Sequence, residues 1–103
     1  MSQQTETVIK EKIAVVVKSP SMYRVILHND DKTTFDFVIA VLTNIFHKSV
    51  EDSTQITLDI HEHGAGVAGE PYTKEIAEEK AMETMSFAKR NKFPLVATTE
   101  EIS

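Results

Sequence analysis

The residues that decide the fold are 23–31, which read Tyr-Arg-Val-Ile-Leu-His-Asn-Asp-Asp. The first six are rich in β-branched and aromatic side chains, which is typical of a buried strand. Asn29, Asp30 and Asp31 follow, and such side chains bond to their own backbone and favour turns. We therefore predict a strand over residues 23–28 that ends in an acidic turn.

Three helices are predicted after this turn. Apolar residues recur at helical spacing over residues 34–46, with Thr33 at the N-cap position. The second helix begins at Ser49 and is stopped by Gly64, because serine caps helix starts and glycine ends helices. The third begins after Thr73. Its apolar stripe consists of Ile76, Ala77, Ala81, Met85 and Ala88.

Two further strands complete the pattern, a short one over residues 66–69 and a last one over residues 95–98. The element order is then β-α-α-β-α-β, which predicts an α+β fold. We expect a two-layer sandwich in which a three-stranded antiparallel sheet carries three helices on one face.

The N-terminal part of the chain differs from the rest. Residues 1–21 are polar and of mixed charge, and Pro20 near their end cannot continue a helix or a strand ladder. We predict a flexible extension here and one folded domain over residues 22–103. Within the extension, Ile13–Val17 form either a brief strand or no regular structure.

Composition excludes several classes of function. The chain has 103 residues, of which 11 are basic and 16 acidic, giving a net charge of −5. Proteins that bind the phosphate backbone carry the opposite balance, so nucleic acid is not an expected partner. No apolar run approaches the roughly 20 residues of a membrane span, and the first residues lack the positive region of a signal peptide. With no cysteine in the chain, we expect a cytoplasmic protein without disulfides.

No arrangement typical of catalysis or metal binding is recognisable. His61 and His63 are two residues apart, so on a helix they point about 200° apart and do not share an ion. His28 and His47 are most simply interpreted as structural residues. The sequence shows neither a nucleophile held by a base nor a phosphate-binding glycine loop. We therefore expect no enzymatic activity, no cofactor and no metal.

The turn at residues 29–31 has two interpretations. The simpler one is a connection between a strand and a helix. The other is an acceptor-rich pocket formed with His61, because an ammonium group brings three donors and no acceptor. The residue pattern alone leaves both interpretations open.

Residues 20–31, Pro-Ser-Met-Tyr-Arg-Val-Ile-Leu-His-Asn-Asp-Asp, closely resemble the opening of the ClpS family, the adaptors of the bacterial ATP-dependent Clp protease. The resemblance extends in order over about residues 20–99. Its most specific part is the Asn-Asp-Asp turn followed by His61 near a helix end. Other matching positions are Phe37, Val38, Val41, Leu42, Thr54, Gln55, Gly64, Thr73, Glu75, Ala77, Glu78, Lys80, Pro94 and Leu95.

The resemblance implies an adaptor, not an enzyme, that binds proteins beginning with a large hydrophobic residue (an N-degron) and delivers them to the protease. Asn29, Asp30 and His61 match the family residues that hold the substrate's α-ammonium group. The pocket for the first side chain matches Thr33, Phe35, Thr57, Ile60 and Leu95.

The resemblance also implies how delivery works. Glu75 and Lys80 match positions that dock on the N-terminal domain of the ClpA unfoldase, and the related ClpC is an alternative partner. Residues 1–21 match the extension that engages the unfoldase.

The chain departs from the family pattern at the pocket. Thr-Thr-Phe stands at residues 33–35 where the family often has Thr-Pro-Met, and Thr57 also replaces a frequent methionine. Phe35 therefore either lines the pocket or turns into the core beside Val38. One extra residue near Pro71 lengthens a loop.

Two other functions are alternatives. A structural or ribosomal interaction domain is one, because the same element order resembles the C-terminal domain of the large-subunit stalk protein and a fold does not determine function. Such a domain would lack the acidic turn and the histidine. A small hydrolase that uses His61 with an acid is the other, and it would consume a peptide that an adaptor only binds.

Overall fold

A computed structural model describes residues 20–103. Nearly all of the predicted extension, including Ile13–Val17, lies outside these residues, so its flexibility stays a prediction. The elements in chain order are β1 (Met22–His28), α1 (Phe35–Asn44), α2 (Val50–His63), β2 (Ala65–Tyr72), α3 (Lys74–Arg90) and β3 (Val96–Ile102). This is the predicted order, and the predicted α+β fold is confirmed.

The three strands form an antiparallel sheet in the order β2-β1-β3. β1 is central, because it pairs with β2 on one side and with β3 on the other. His28, the last residue of β1, pairs with Ala65 at the start of β2 and with Val96 at the start of β3. The turn that follows β1 therefore leaves the sheet beside the end of α2 and the loop that precedes β3.

The core lies between one face of the sheet and the helices. Val25 and Leu27 of β1 are fully buried there, together with Val41 and Leu42 of α1. Each such side chain contributes about 1.5–3 kcal/mol when it is removed from water. Small side chains let α3 lie close to the sheet. The buried residues of α3 are Ala77, Ala81, Thr84 and Ala88.

The predicted cap of α1 is wrong by one residue. Thr34 is the N-cap, and its hydroxyl accepts the backbone N–H of Phe37 at 3.2 Å. The hydroxyl of Thr33 is instead turned toward the acidic turn, where it donates to the carboxylate of Asp30 at 2.7 Å. The acidic turn thus takes the side chain that the sequence pattern assigned to the helix.

The strands are longer than predicted, and the buried face of α3 differs from its predicted apolar stripe. β3 continues to Ile102 because it pairs with β1 along its whole length, which holds polar residues such as Glu100 in extended backbone. Ile76 is 44% exposed, and Thr84 takes the buried position on α3 with its hydroxyl donated to the carbonyl of Lys80. None of the helices within residues 20–103 is long and apolar enough to cross a membrane.

Two glycines join α2 to β2. Gly64 ends α2 as predicted, with a φ of 89° and its N–H donated to the carbonyl of Ile60. Gly66 has no room for a side chain, because a Cβ there would lie 2.8 Å from Cγ1 of Ile60. This close approach fixes the last turns of α2 against the sheet.

Candidate functional site

A cavity of about 270 Å³ opens where β1, α1 and α2 meet. Its lining residues are His28, Asn29, Asp30, Asp31, Thr33, Phe35, Val38, Thr57, Ile60, His61 and Leu95. The residues predicted to hold an ammonium group and those predicted to form a side-chain pocket all lie at this one cavity. Because no ligand or measurement tests their roles, these assignments stay predictions.

A backbone contact brings the two ends of the site together. The N–H of Asn29 donates to the carbonyl oxygen of Gly64 at 2.9 Å. His61 lies in the last turn of α2, just before that glycine. The contact therefore places the acidic turn after β1 beside the imidazole, although the two segments are far apart in the chain.

Asp30 organises the turn. One carboxylate oxygen accepts the N–H groups of Lys32 at 2.8 Å and of Thr33 at 2.7 Å, and the other accepts the hydroxyl of Thr33. Burial raises the pKa of Asp30, but the hydrogen bonds from Thr33 and Lys32 outweigh it, so the pKa lies below its usual value. The carboxylate is therefore ionised at neutral pH.

Two polar side chains at the cavity can contact a ligand. The side-chain amide of Asn29 and the imidazole of His61 line the cavity and are exposed. Neither forms a side-chain hydrogen bond with another protein group in the part of the chain that the structure describes. An amide oxygen and a neutral imidazole nitrogen are both acceptors, so they suit a donor-rich group.

The rest of the lining is largely nonpolar. Val38, Ile60 and Leu95 are buried core residues that also reach the cavity. Thr57 is 3% exposed, and its hydroxyl donates to the carbonyl of Ser53 at 2.7 Å. Because that polar group is satisfied within α2, Thr57 does not require a polar partner from a ligand.

Phe35 lies at the cavity and does not turn fully into the core. Its side chain is 43% exposed, and its ring meets that of His61 edge-on with the centroids 5.2 Å apart. Val38, one turn further along α1, is buried. The ring of Phe35 on the first turn of α1 thus contacts the imidazole of His61 on the last turn of α2.

Sequence reasoning gave no individual role in the site to three lining residues. Val38 is part of the apolar stripe of α1 and lies one turn from Phe35, so helical spacing could have suggested it. Asp31 belongs to the acidic turn and was not assigned a role. His28 Nε2 and Thr98 Oγ1 form a hydrogen bond of 2.7 Å, which fits the interpretation of His28 as a structural residue.

The two predicted docking residues lie on α3, away from the cavity. Glu75 is exposed in the first turn of α3. Lys80 donates from Nζ to the carbonyl oxygen of Ile45 at 2.9 Å, and its ammonium lies 5.6 Å from the ring centre of Phe46 and 5.7 Å from that of Tyr72. Lys80 therefore has a structural role, because it joins α3 to the end of α1.

A separate group of polar side chains lies near the C-terminal end of α2. Asp59, Glu62 and His63 bring ligating atoms within 4.8 Å of one another, outside the cavity. His63 Nδ1 lies 3.1 Å from the carbonyl oxygen of Asp59. His61 is not a member of this group, as the helical spacing predicts. The expectation that the chain binds no metal stays a prediction.

Comparison with known proteins shows what the chain is similar to. A family model described as "ATP-dependent Clp protease adaptor protein ClpS" matches residues 18–98. The chain is 45% identical over 95 residues to an ATP-dependent Clp protease adapter protein ClpS from Acetivibrio thermocellus, covering 92% of this chain and 95% of the relative. It is 47% identical over 98 residues to the protein of that name from Campylobacter jejuni (strain RM1221), covering 95% and 97%.

A solved structure shares the fold. It is that of Agrobacterium tumefaciens ClpS2 bound to L-phenylalaninamide, which superposes with a TM-score of 0.78 at 36% sequence identity. The match covers 82% of this chain and 100% of that chain.

Proposed function

The chain belongs to the ClpS family of ATP-dependent Clp protease adaptor proteins, and we propose that it binds proteins that begin with a large hydrophobic residue and delivers them to that protease. The observation that carries this proposal is the composition of the cavity. It combines exposed polar acceptors with buried nonpolar side chains. A first residue with a free amine and a large apolar side chain requires both.

The amine is recognised by the polar part of the cavity. An α-ammonium group brings three donors, and it costs several kcal/mol to desolvate one that remains unpaired. Asn29 offers its amide oxygen and His61 a ring nitrogen, and both side chains line the cavity. Asp30 already accepts three hydrogen bonds within the turn. Its contribution is therefore the negative charge that favours a cation at this place, together with the shape of the turn.

The first side chain is recognised by the nonpolar part. Phe35, Thr57, Ile60 and Leu95 line it, and Thr33 stands at its polar edge with its hydroxyl bonded to Asp30. Complete burial of a Leu or Phe side chain contributes about 1.5–3 kcal/mol. A small or charged first residue would lose this contribution, so the site distinguishes substrates by their first residue.

The ligand of the related structure has the chemistry of this substrate class. L-phenylalaninamide, which is bound to Agrobacterium tumefaciens ClpS2, carries a free amine, an aromatic side chain and a carboxamide. The carboxamide stands in for the peptide bond to a second residue. The molecule thus corresponds to the first residue of a chain that begins with phenylalanine, and this supports the same ligand class for the cavity of the present chain.

Delivery requires a second surface. We assign docking on the N-terminal domain of a ClpA or ClpC unfoldase to the α3 surface that includes Glu75 and Lys80. This surface does not share residues with the cavity, so substrate and unfoldase can be bound together. Residues 1–21 would engage the unfoldase during transfer. The site of action is then the cytoplasm, where the protease adaptor meets its substrates.

The geometry of the cavity disfavours the hydrolase alternative. The two threonine hydroxyls that line it are donated to Asp30 and to the carbonyl of Ser53, and neither is bonded to His61. A nucleophile activated by His61 would need a hydrogen bond to that ring. The ribosomal alternative offers no reason for acceptors and nonpolar groups to meet in one cavity.

A degradation assay tests delivery. Purified Clp unfoldase and peptidase would be given a reporter that begins with Leu and a matched reporter that begins with Ser, each with and without this protein. We expect faster degradation of the Leu reporter alone. Removal of residues 1–17 should reduce this acceleration but leave peptide affinity unchanged, because the cavity lies within residues 28–95. Equal degradation of both reporters would contradict the proposal.

A further inference from the structure

The rings of Phe35 and His61 form a contact between two helices beside the cavity. Their centroids are 5.2 Å apart, and the ring planes are inclined by 69°. This is the edge-to-face arrangement that aromatic pairs prefer. Phe35 is the first residue of α1, whereas His61 lies in the last turn of α2. The contact thus joins an element of the side-chain pocket to an element of the amine site.

No polar contact holds the imidazole of His61 within residues 20–103. Two other histidines differ in this respect. His28 Nε2 lies 2.7 Å from the hydroxyl of Thr98, and His63 Nδ1 lies 3.1 Å from a backbone carbonyl. A hydrogen bond fixes a histidine ring and selects its tautomer. The exposed ring of His61 lacks this restraint, so packing against a neighbour is what favours one orientation.

We propose that Phe35 is a positioning residue for His61. Its ring holds the imidazole in the orientation that presents a nitrogen lone pair to the substrate's α-ammonium group, and this role rests on the proposed function. A side chain that is ordered before binding loses less conformational freedom on binding. Phe35 therefore raises affinity for a free amine through His61, in addition to any contact with the first side chain.

The arrangement couples the two halves of the site. A first residue that pushes Phe35 aside also removes the support of His61, so a poorly fitting side chain weakens amine binding as well. The first residue and its amine are then recognised as one unit. In this chain the coupling depends on an aromatic ring at position 35.

A double-mutant cycle tests the coupling. Phe35→Leu, His61→Ala and the double variant would be titrated calorimetrically with one Leu-initial peptide. Phe35→Leu should weaken binding by about 2- to 10-fold when His61 is present, the range expected for loss of an aromatic pair. In the His61→Ala background the same change should cost less than about twofold. The same loss in both backgrounds would overturn the positioning role.

Two controls separate this role from a structural defect. Phe35→Met keeps a large nonpolar side chain without a ring and should behave like Phe35→Leu. His63→Ala changes a histidine on the same helix that lies outside the cavity, and its coupling to Phe35→Leu should be zero. Coupling of equal size at His63 would contradict a specific contact.

The contact can also be tested in the free protein. Phe35→Leu should shift the NMR signals of the His61 ring protons, because the neighbouring ring current is lost. The ring protons of His28 and His63 serve as internal references and should not move. Unchanged His61 signals would overturn the contact itself. If the wild-type protein fails to bind the peptide, the proposed function is contradicted, whereas binding with additive effects contradicts only the role of Phe35.

Discussion

Asn29 donates its backbone N–H to the carbonyl oxygen of Gly64 over 2.9 Å, and this bond holds the turn after β1 against the end of α2. Asn29 and His61 lie on the two segments that this bond joins, and both line the cavity. Their relative position therefore depends on a main-chain contact at the C-cap of a helix. Changes to this cap should affect both stability and ligand binding.

Gly64→Ala should lower the free energy of unfolding by about 1–2 kcal/mol, because the φ of 89° is in the left-handed region. A Cβ at this position meets no atom within 4 Å, so backbone strain alone is responsible. Affinity for a Leu-initial peptide should also fall. Urea denaturation and calorimetry measure the two effects. Gly64→Asn, which tolerates this conformation better, is the control, and an equal loss for Asn and Ala would argue against backbone strain.

Asp30→Asn should reduce stability at neutral pH. Burial raises the pKa of Asp30, but the hydrogen bonds within the turn lower it further, so the folded-state pKa lies below the unfolded value. The ionised group therefore stabilises the fold above its unfolded pKa, and this contribution is lost as the pH falls through the folded-state value.

The free energy of unfolding of the wild type should thus fall as the pH drops below the unfolded pKa of Asp30, and Asp30→Asn should make this fall shallower. Urea titrations at several pH values measure the slope. Asp31→Asn removes the neighbouring exposed carboxylate and serves as the control. An acid dependence that is identical in wild type and Asp30→Asn would show that the turn does not depend on this charge.

Phe35→Ala should raise affinity for Ile- and Val-initial peptides relative to a Leu-initial peptide. A phenylalanine ring is wider and stiffer than the methionine that the family often has here, so it crowds side chains that branch at Cβ. Calorimetry with all three peptides gives the ratio, and a urea titration checks the stability of the variant. An unchanged Ile-to-Leu ratio in a folded variant would show that Phe35 does not select the first residue.

Lys80→Met should lower the free energy of unfolding by about 1 kcal/mol. It removes a charged donor from the carbonyl of Ile45, and such bonds contribute about 1.5–3 kcal/mol before solvent exposure reduces them. Glu75→Ala, at an exposed position on the same helix, should change stability little.

Both variants, Lys80→Met and Glu75→Ala, should reduce docking on the unfoldase, measured by binding to its N-terminal domain, without changing peptide affinity. A loss of peptide affinity in either variant would contradict the separation of the two surfaces.

Local sequence patterns predicted the order of the elements well. Ser49 and Gly64 delimit α2 as expected, since capping by these residues is a local effect. The assignment of Thr33 as a cap failed because its hydroxyl is turned toward Asp30, and the pattern could not show which of two adjacent threonines faces the start of the helix. The full length of β3 was missed for a different reason. Glu100 has little preference for strands, and its extended backbone is imposed by pairing with Arg24 of β1.

The residue pattern offered the acidic turn with His61 only as one of two interpretations, and the family resemblance was needed to choose it and to name the nonpolar residues of the site. Nothing in local periodicity shows that Asn29 and His61 line one cavity, because a tertiary contact at Gly64 brings their segments together. The structural role of Lys80 was also hidden, since its partner Ile45 lies on another helix end. The contact between Phe35 and His61 arises from a position where the chain departs from the family pattern, so the resemblance could not supply it.

Binding of a free N-terminal amine together with a large hydrophobic side chain is the property that we propose for the cavity. It is tested most directly by calorimetric titration of one Leu-initial peptide in two forms, with a free and with an acetylated amine. Acetylation removes the charge and two of the donors, and the loss of a buried, hydrogen-bonded charge costs roughly 2–5 kcal/mol. We expect the acetylated peptide to bind about 30-fold more weakly or not at all. Equal affinity for the two peptides would contradict recognition of a free amine at this cavity.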